Sequence, residues 1–334
     1  MSQKNKKNIA AVRVSFICGL LIFIFILCEI SVRLVYSEYL HSHLKHLKGS
    51  LFSSCDKKLG WKGKRVFGDF NSKKYKVFVI GDSFTHGCGV REEALYYNVL
   101  ARKLNVELFV YGGPGYGTLQ EYMVLDSYID VIKPHLIILQ VCSNDFINNM
   151  WELESVRFHN NDLMIRPYLR EGKVDYLYPK QFGKLKMIIF SQSKFLYLSG
   201  YSLEKFIAMA YFKNYIPDYI KTKHREARRK SYVKYFDEAT AVTRTLFGKI
   251  ATRARHVPII AFQANTREHE RFKKIFKELN IQFIEEIPDI LQQKENEGIS
   301  TSFPGQTHWN ELGHELAGTI LCGTVAELID NSRN

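Results

Sequence analysis

Three short runs of apolar and β-branched residues constrain this chain more than any other feature: "VFVI" at Val77–Ile80, "VELFV" at Val106–Val110 and "LIILQV" at Leu136–Val141. Each is too short for a helix and too continuously apolar for a strand with one wet face, so each predicts a strand covered on both sides. Helical spacing fills the intervals at Glu92–Leu104 and Leu119–Ile132. The rhythm resumes later with a helix from Ser231 to Arg255, a strand at Val257–Phe262, a helix at Glu268–Leu279, a strand at Ile281–Ile284 and a helix at Glu311–Leu328. Strands alternating with helices in this way predict a mainly parallel five-stranded sheet covered on both faces. The result is a three-layer α/β/α sandwich, flavodoxin-like, over residues 75–330.

Residues 151–230 break the rhythm and read as an insertion beside the sheet's C-terminal edge. The segment is rich in Tyr, Phe, Lys and Arg and ends in the basic run "KTKHREARRK" at Lys221–Lys230. Between Val156 and Tyr235 there are 17 Lys/Arg against 6 Asp/Glu, a surplus of 11 out of a net charge of +13 for the whole chain. Such a segment is either a solvated face over an aromatic core, a lid or groove for an anionic or carbohydrate substrate, or a surface resting on anionic headgroups. Nucleic acid would meet similar residues, but the N-terminus argues for export and against that partner.

That N-terminus reads as a membrane anchor over residues 1–40. Lys4, Lys6, Lys7 and Arg13 precede an apolar run from Val14 to Cys28, extended helically through Tyr36. This reaches the roughly 20 residues a bilayer requires. By the positive-inside rule the basic tip stays in the cytoplasm and the rest of the chain is exported, periplasmic or extracellular. Glu29 and Arg33, four apart, share a helix face and can pair near the interface. The rivals are a cleaved signal peptide, for which no A-x-A site follows, and a buried soluble helix. Residues 41–74 read as a juxtamembrane linker. Cys55, Cys88, Cys142 and Cys322 would face an oxidising compartment, with no pairing assignable from spacing and no C-x-x-C for a metal.

In an open parallel sheet, ligands bind beyond the carboxyl ends of the strands. Three small polar clusters fall there: Gly81-Asp82-Ser83, Gly112-Gly113-Pro114-Gly115-Tyr116-Gly117 and Ser143-Asn144-Asp145. A serine on a strand-to-helix corner is lifted out of the core, where it can act as a nucleophile or simply cap the helix. The glycine turn lacks the final glycine of G-x-G-x-x-G, since Thr118 follows, and no G-K-[ST] occurs, which leaves nucleotide binding without support.

Four blocks, "GDS" with Ser83, "GGPGYG" with Gly115, "SND" with Asn144 and "THWNELGH" with His308, resemble the SGNH or GDSL family of esterases and acyl hydrolases, and the anchor resembles its membrane-tethered bacterial branch. The resemblance spans Tyr75 to Glu327 apart from the insertion. It implies Ser83 as nucleophile, His308 as base, and an oxyanion hole from the Ser83 and Gly115 N–H groups with the Asn144 amide, with no metal or organic cofactor. It implies an ester substrate, with an O-acyl group on an envelope glycan or lipid as the expected class. Transfer to a sugar hydroxyl would use the same residues. Two positions depart from the pattern. The family's Asp three before the histidine is Gly305 here, leaving Asp289, Glu311 or a backbone carbonyl to orient the ring, and Val110 stands where an Asn often opens the second block. Gly305 also admits a catalytically silent binding or assembly protein on the same fold. His86, close to Ser83, is a lesser rival for the base, and His314 reads as structural.

Overall fold

The structure, a computed structural model, describes residues 3–38, 55–157, 165–179, 182–212 and 218–333. Residues 41–54 of the expected linker, and 158–164, 180–181 and 213–217 of the expected insertion, lie outside the described residues. The chain divides into two compact units, one of residues 1–47 with 182–221 and one of residues 48–181 with 222–334.

The larger unit is built on a six-stranded sheet. Its strands are β1 (Lys64–Phe67), β2 (Lys76–Gly81), β3 (Glu107–Gly112), β4 (Leu136–Val141), β5 (Ile259–Gln263) and β6 (Gln282–Ile284), in the order β6-β5-β4-β2-β3-β1. The five expected strands are all parallel to one another. β1 is a sixth strand, antiparallel to β3, inside the segment expected to be a linker. Leaving β1 aside, the strand order is that of flavodoxin-like folds, and it reverses at β2, between β3 and β4.

Successive strand residues feed two separate cores, which is what a strand covered on both faces must do. Phe78 and Ile80 of β2 with Ile137 and Leu139 of β4 pack beneath α4 (Thr118–Ile132), the later part of α8 (Asp218–Arg253) and α9 (His269–Glu278). Val77, Val79 and Ile138 pack on the other face, beneath α3 (Tyr96–Leu104), α10 (Glu286–Asn296) and α11 (Glu311–Arg333). α11 is long and apolar enough to cross a membrane, but its inner face fills this second core through Ala317, Leu321 and Val325. α10 and an antiparallel hairpin, Arg166–Arg170 with Lys173–Leu177, were not anticipated from sequence. The hairpin sits in the basic insertion, where exposure on its second strand removes the alternation that would announce it.

The smaller unit holds α1 (Gln3–Glu38) with α6 (Gly183–Gln192) and α7 (Lys194–Phe212). Residues Val12–Leu34 of α1 have a mean hydropathy of 2.6, and none of that apolar window is buried.

Candidate active site

The turn after β2 is set by what its neighbours leave no room for. A Cβ on Gly81 would lie 2.3 Å from Thr85 Oγ1 and 2.5 Å from Gln140 Oε1, so only glycine lets the strand end so close to β4. Gln140 Oε1 accepts from Asp82 N (3.1 Å), Thr85 N (3.1 Å) and Thr85 Oγ1 (2.8 Å), and the Tyr96 hydroxyl donates to Thr85 Oγ1 at 2.8 Å. Asp82 Oδ1 then caps the one-turn helix α2 (Ser83–His86) by accepting from Phe84 N at 3.0 Å. Ser83, first in that helix, keeps its N–H free of any protein acceptor among the described residues, as first-turn amides do.

His308 arrives from the loop before α11. Its backbone carbonyl accepts from Phe303 N at 3.0 Å, its ring lies 5.1 Å from Phe84, and the next residue, Trp309, is buried against Phe84 and donates to Ala264 O at 3.2 Å. The ring presents Nε2 to Ser83 Oγ at 2.8 Å. That is hydrogen-bond reach for a base taking the hydroxyl proton.

Among the described residues, nothing bonds the far ring nitrogen of His308, and neither carboxylate considered from sequence serves it. Glu311 is held by Arg91 through two bonds of 2.6 and 2.7 Å, and Asp289 is exposed on α10. Gly305 has a φ of 69°, in the left-handed region, with open space where a side chain would start. The imidazole is therefore held by the Phe84 ring, by its bond to Ser83, and by a backbone fixed through Phe303 N and the buried Trp309.

The expected oxyanion donors come from neighbouring turns. β2 and β3 end in register, Gly81 opposite Gly112, and Gly113 N bonds Gly81 O at 3.3 Å. Gly115 has a φ of 71°, and its N–H has no protein acceptor among the described residues. Its carbonyl and that of Tyr116 accept from Asn148 Nδ2, both at 3.2 Å, which ties the glycine turn to α5 (Asp145–Asn148). Trp61 braces the same turn from beneath, donating to Pro114 O at 3.1 Å and accepting from the Tyr116 hydroxyl at 2.7 Å. Asn144 follows β4, held by Asp145, whose carboxylate accepts from Cys142 N at 3.0 Å. Its amide lies 3.5 Å from Asp82 Oδ2, at the limit of a hydrogen bond, and so remains available to another acceptor.

Three residues the sequence reading did not single out also shape this edge. Gln140 locks the serine turn and Asn148 the glycine turn. Asn265, beyond β5, donates to Ser143 Oγ at 3.1 Å and Cys142 Sγ at 3.0 Å. Gln140 was visible as the one polar residue in "LIILQV", and Asn148 as the position four beyond Asn144 on a helix.

Beneath the turns lie three buried carboxyls, Asp82, Glu121 and Asp145. Burial raises the pKa of all three, well above the usual value for Glu121 and Asp145, where repulsion from neighbouring carboxyls adds to the shift. Among the described residues, neither Glu121 oxygen has a hydrogen-bond partner. His86 turns its Nδ1 to Cys88 Sγ at 3.2 Å, and burial with Lys64 nearby lowers its pKa to about 4. His314 is buried and stacks on Tyr96 at 5.9 Å. Cys88, Cys142 and Cys322 are free thiols, and the Cys55 side chain lies outside what is described.

A family profile described as GDSL-like Lipase/Acylhydrolase matches residues 77–321. Among solved structures, an acetyl xylan esterase is 12% identical, covering 75% of this chain and 99% of its own, with a TM-score of 0.41. A family 3 carbohydrate esterase from Clostridium thermocellum is 15% identical over 77% of this chain and 98% of its own, with a TM-score of 0.35. A GDSL-like lipase from Bacteroides thetaiotaomicron is 9% identical over 76% and 89%, with a TM-score of 0.38. No curated protein matches the sequence. With its parallel sheet, and a match that runs from the first buried strand into the last helix, the chain belongs to the GDSL-like lipase/acylhydrolase family and is an ester-hydrolysing enzyme.

Proposed function

We propose that the protein is a membrane-anchored serine esterase that removes an acyl group through an acyl-Ser83 intermediate. The observation that carries this reading is the 2.8 Å contact between Ser83 Oγ and His308 Nε2, made by residues 225 positions apart. Ser83 Oγ attacks the ester carbonyl carbon while His308 Nε2 takes the hydroxyl proton. The oxygen that gains charge is received by the Ser83 and Gly115 N–H groups and the Asn144 amide. The tetrahedral adduct collapses as His308 returns the proton to the leaving alkoxide, which departs as the alcohol. Water, deprotonated by the same nitrogen, then attacks the acyl-serine, releases the carboxylic acid and restores Ser83.

The apolar Val12–Leu34 segment with its basic N-terminal flank supports an anchor whose tip is cytoplasmic and whose catalytic unit is exported. Placed there, the enzyme meets envelope polymers, and an O-acyl group on a glycan or lipid is the substrate class in reach. In the full-length protein a fluorophosphonate probe should label wild type and fail to label Ser83→Ala, with His308→Ala labelled far more slowly. Undiminished labelling of Ser83→Ala would sink the mechanism. Adding a sugar acceptor to the ester assay tells hydrolysis from transfer by whether the acyl group ends on water or on the sugar.

A further inference from the structure

Near its C-terminal end the apolar span of the anchor helix carries two charges, Glu29 and Arg33, and both are used. Glu29 Oε1 accepts from Arg33 Nε at 2.6 Å, the pairing the spacing predicts. The same carboxylate also accepts from Ser193 Oγ at 2.6 Å, from Lys194 N at 3.0 Å and from Phe195 N at 2.9 Å. Arg33 donates in turn to Gln192 O at 3.3 Å. Lys194 and Phe195 open α7, so Glu29 supplies acceptors to amides that have no partner within their own helix, at the positive end of its dipole. Ser193 completes the cap by accepting from Leu196 N at 3.1 Å. Phe25, one turn back along α1, meets Phe195 edge-on at 5.8 Å. A carboxylate in the apolar span thus becomes a satisfied acceptor, the condition for a charge to reside there.

What α6 and α7 leave outward suits hydrocarbon. Leu185 is 54% exposed, Leu203 57% and Phe206 61%, and Phe182, just before α6, is 67% exposed. Water-facing helices of this length carry charged faces, yet from Lys194 to Phe212 the sequence has only Lys194, Glu204 and Lys205. α7 is not among the described helices apolar enough to span. Lying along the span is left to it, because its first turn is fastened to a helix that itself sits in lipid.

We propose that α6 and α7 form a membrane-embedded collar, seated on the exported end of the anchor through Glu29 and burying Leu185, Leu203 and Phe206 in the adjoining leaflet of the bilayer. The occupant of these apolar surfaces is phospholipid acyl chain. The inference rests on the reading of Val12–Leu34 as a membrane span. It turns the insertion from a loop over the substrate edge into a second membrane contact, so that the chain is held at the lipid surface by more than one segment.

The test uses the full-length chain in vesicles of phosphatidylethanolamine and phosphatidylglycerol bearing fluorescent acyl chains. p-Benzoylphenylalanine is placed at Leu203 or Phe206 or, as control, at Val233 on α8, which is 78% exposed. Irradiation should give lipid adducts at the α7 positions about tenfold above Val233, as for side chains held in the acyl region. Combining Phe206 labelling with Glu29→Ala should cut that yield severalfold, and an unchanged yield overturns the role of Glu29. Background yields at both α7 positions, or adducts to a second copy of the chain in place of lipid, overturn the collar. Alkaline carbonate extraction separates the two readings: a chain released to the supernatant defeats the anchor and the collar together, whereas a retained chain without adducts defeats the collar alone.

Discussion

Replacing Gly305 by Asp returns a carboxylate to the third position before His308 and tests whether packing alone orients the imidazole. The site can receive it: no atom lies within 4 Å of the position a Cβ would take, and the residue is exposed. The backbone exacts a penalty, because φ is 69° and an L-residue there costs about 1–2 kcal/mol, with Asp and Asn at the lower end. For a domain of this size, about 1 kcal/mol corresponds to a melting temperature lower by about 2–4 °C. The ceiling on the gain is about 10⁴ in turnover, the loss when a serine protease gives up its triad Asp. Phe84 already packs on the ring while Phe303 N and Trp309 fix the backbone that carries it, so the carboxylate adds chiefly tautomer selection and stabilisation of the imidazolium. A rise of about 10² in kcat, or about 2.7 kcal/mol off the barrier, is expected. Steady-state hydrolysis of p-nitrophenyl acetate by wild type, Gly305→Asp and Gly305→Asn, with melting curves for each, isolates the charge from the strain. Asn should show the same thermal loss without the rate gain. Equal rates for Asp and Asn, both folded, would refute the reasoning and mean that the far N–H of His308 needs no carboxylate acceptor.

Asn144→Ala should lower kcat by about 10²–10³ with little change in KM, since its amide acts on charge that develops only in the transition state. Loss of substrate affinity with unchanged kcat would remove it from the oxyanion hole. Glu121→Gln probes the buried carboxyls: their raised pKa values mean the folded protein holds protons the unfolded chain has released, so stability falls as pH rises above the ordinary carboxylate range. The Gln variant, uncharged throughout, should give a flatter stability curve on that side in urea titrations across pH, and a slope equal to wild type would contradict the assignment. Trp309→Phe removes the bond to Ala264 O and should cost about 1 kcal/mol of stability while slowing fluorophosphonate labelling of Ser83. Normal labelling in a destabilised variant would show that the loop, and not Trp309, positions His308.

The parallel sheet was legible because each strand must be apolar on both faces, and "VFVI" or "LIILQV" can satisfy that in no other common way. The clusters holding Ser83, Gly115 and Asn144 stood out because strand ends and small polar residues coincide, whereas the roles given to them and to His308 are what the family resemblance implies. β1 was not: "KRVF" is an edge strand with only its β3 side paired, partly exposed, and nothing in four residues separates it from the basic segment around it. The support of His308 was hidden for a different reason. An acidic residue at a fixed offset can be sought in a sequence, whereas Phe84 and Trp309 meet by tertiary packing from two distant segments and Phe303 acts through its backbone N–H. Asn265 likewise meets Ser143 only because β5 lies beside β4.

The single amide oxygen of Gln140, shared by three donors of the serine turn, has a consequence for how such an enzyme can change. It rivets the nucleophile to the neighbouring strand, so the attacking atom cannot be shifted without unpicking the sheet. Variation that spares the nucleophile has to fall outside this turn, in irregular chain such as residues 264–268 and 299–307.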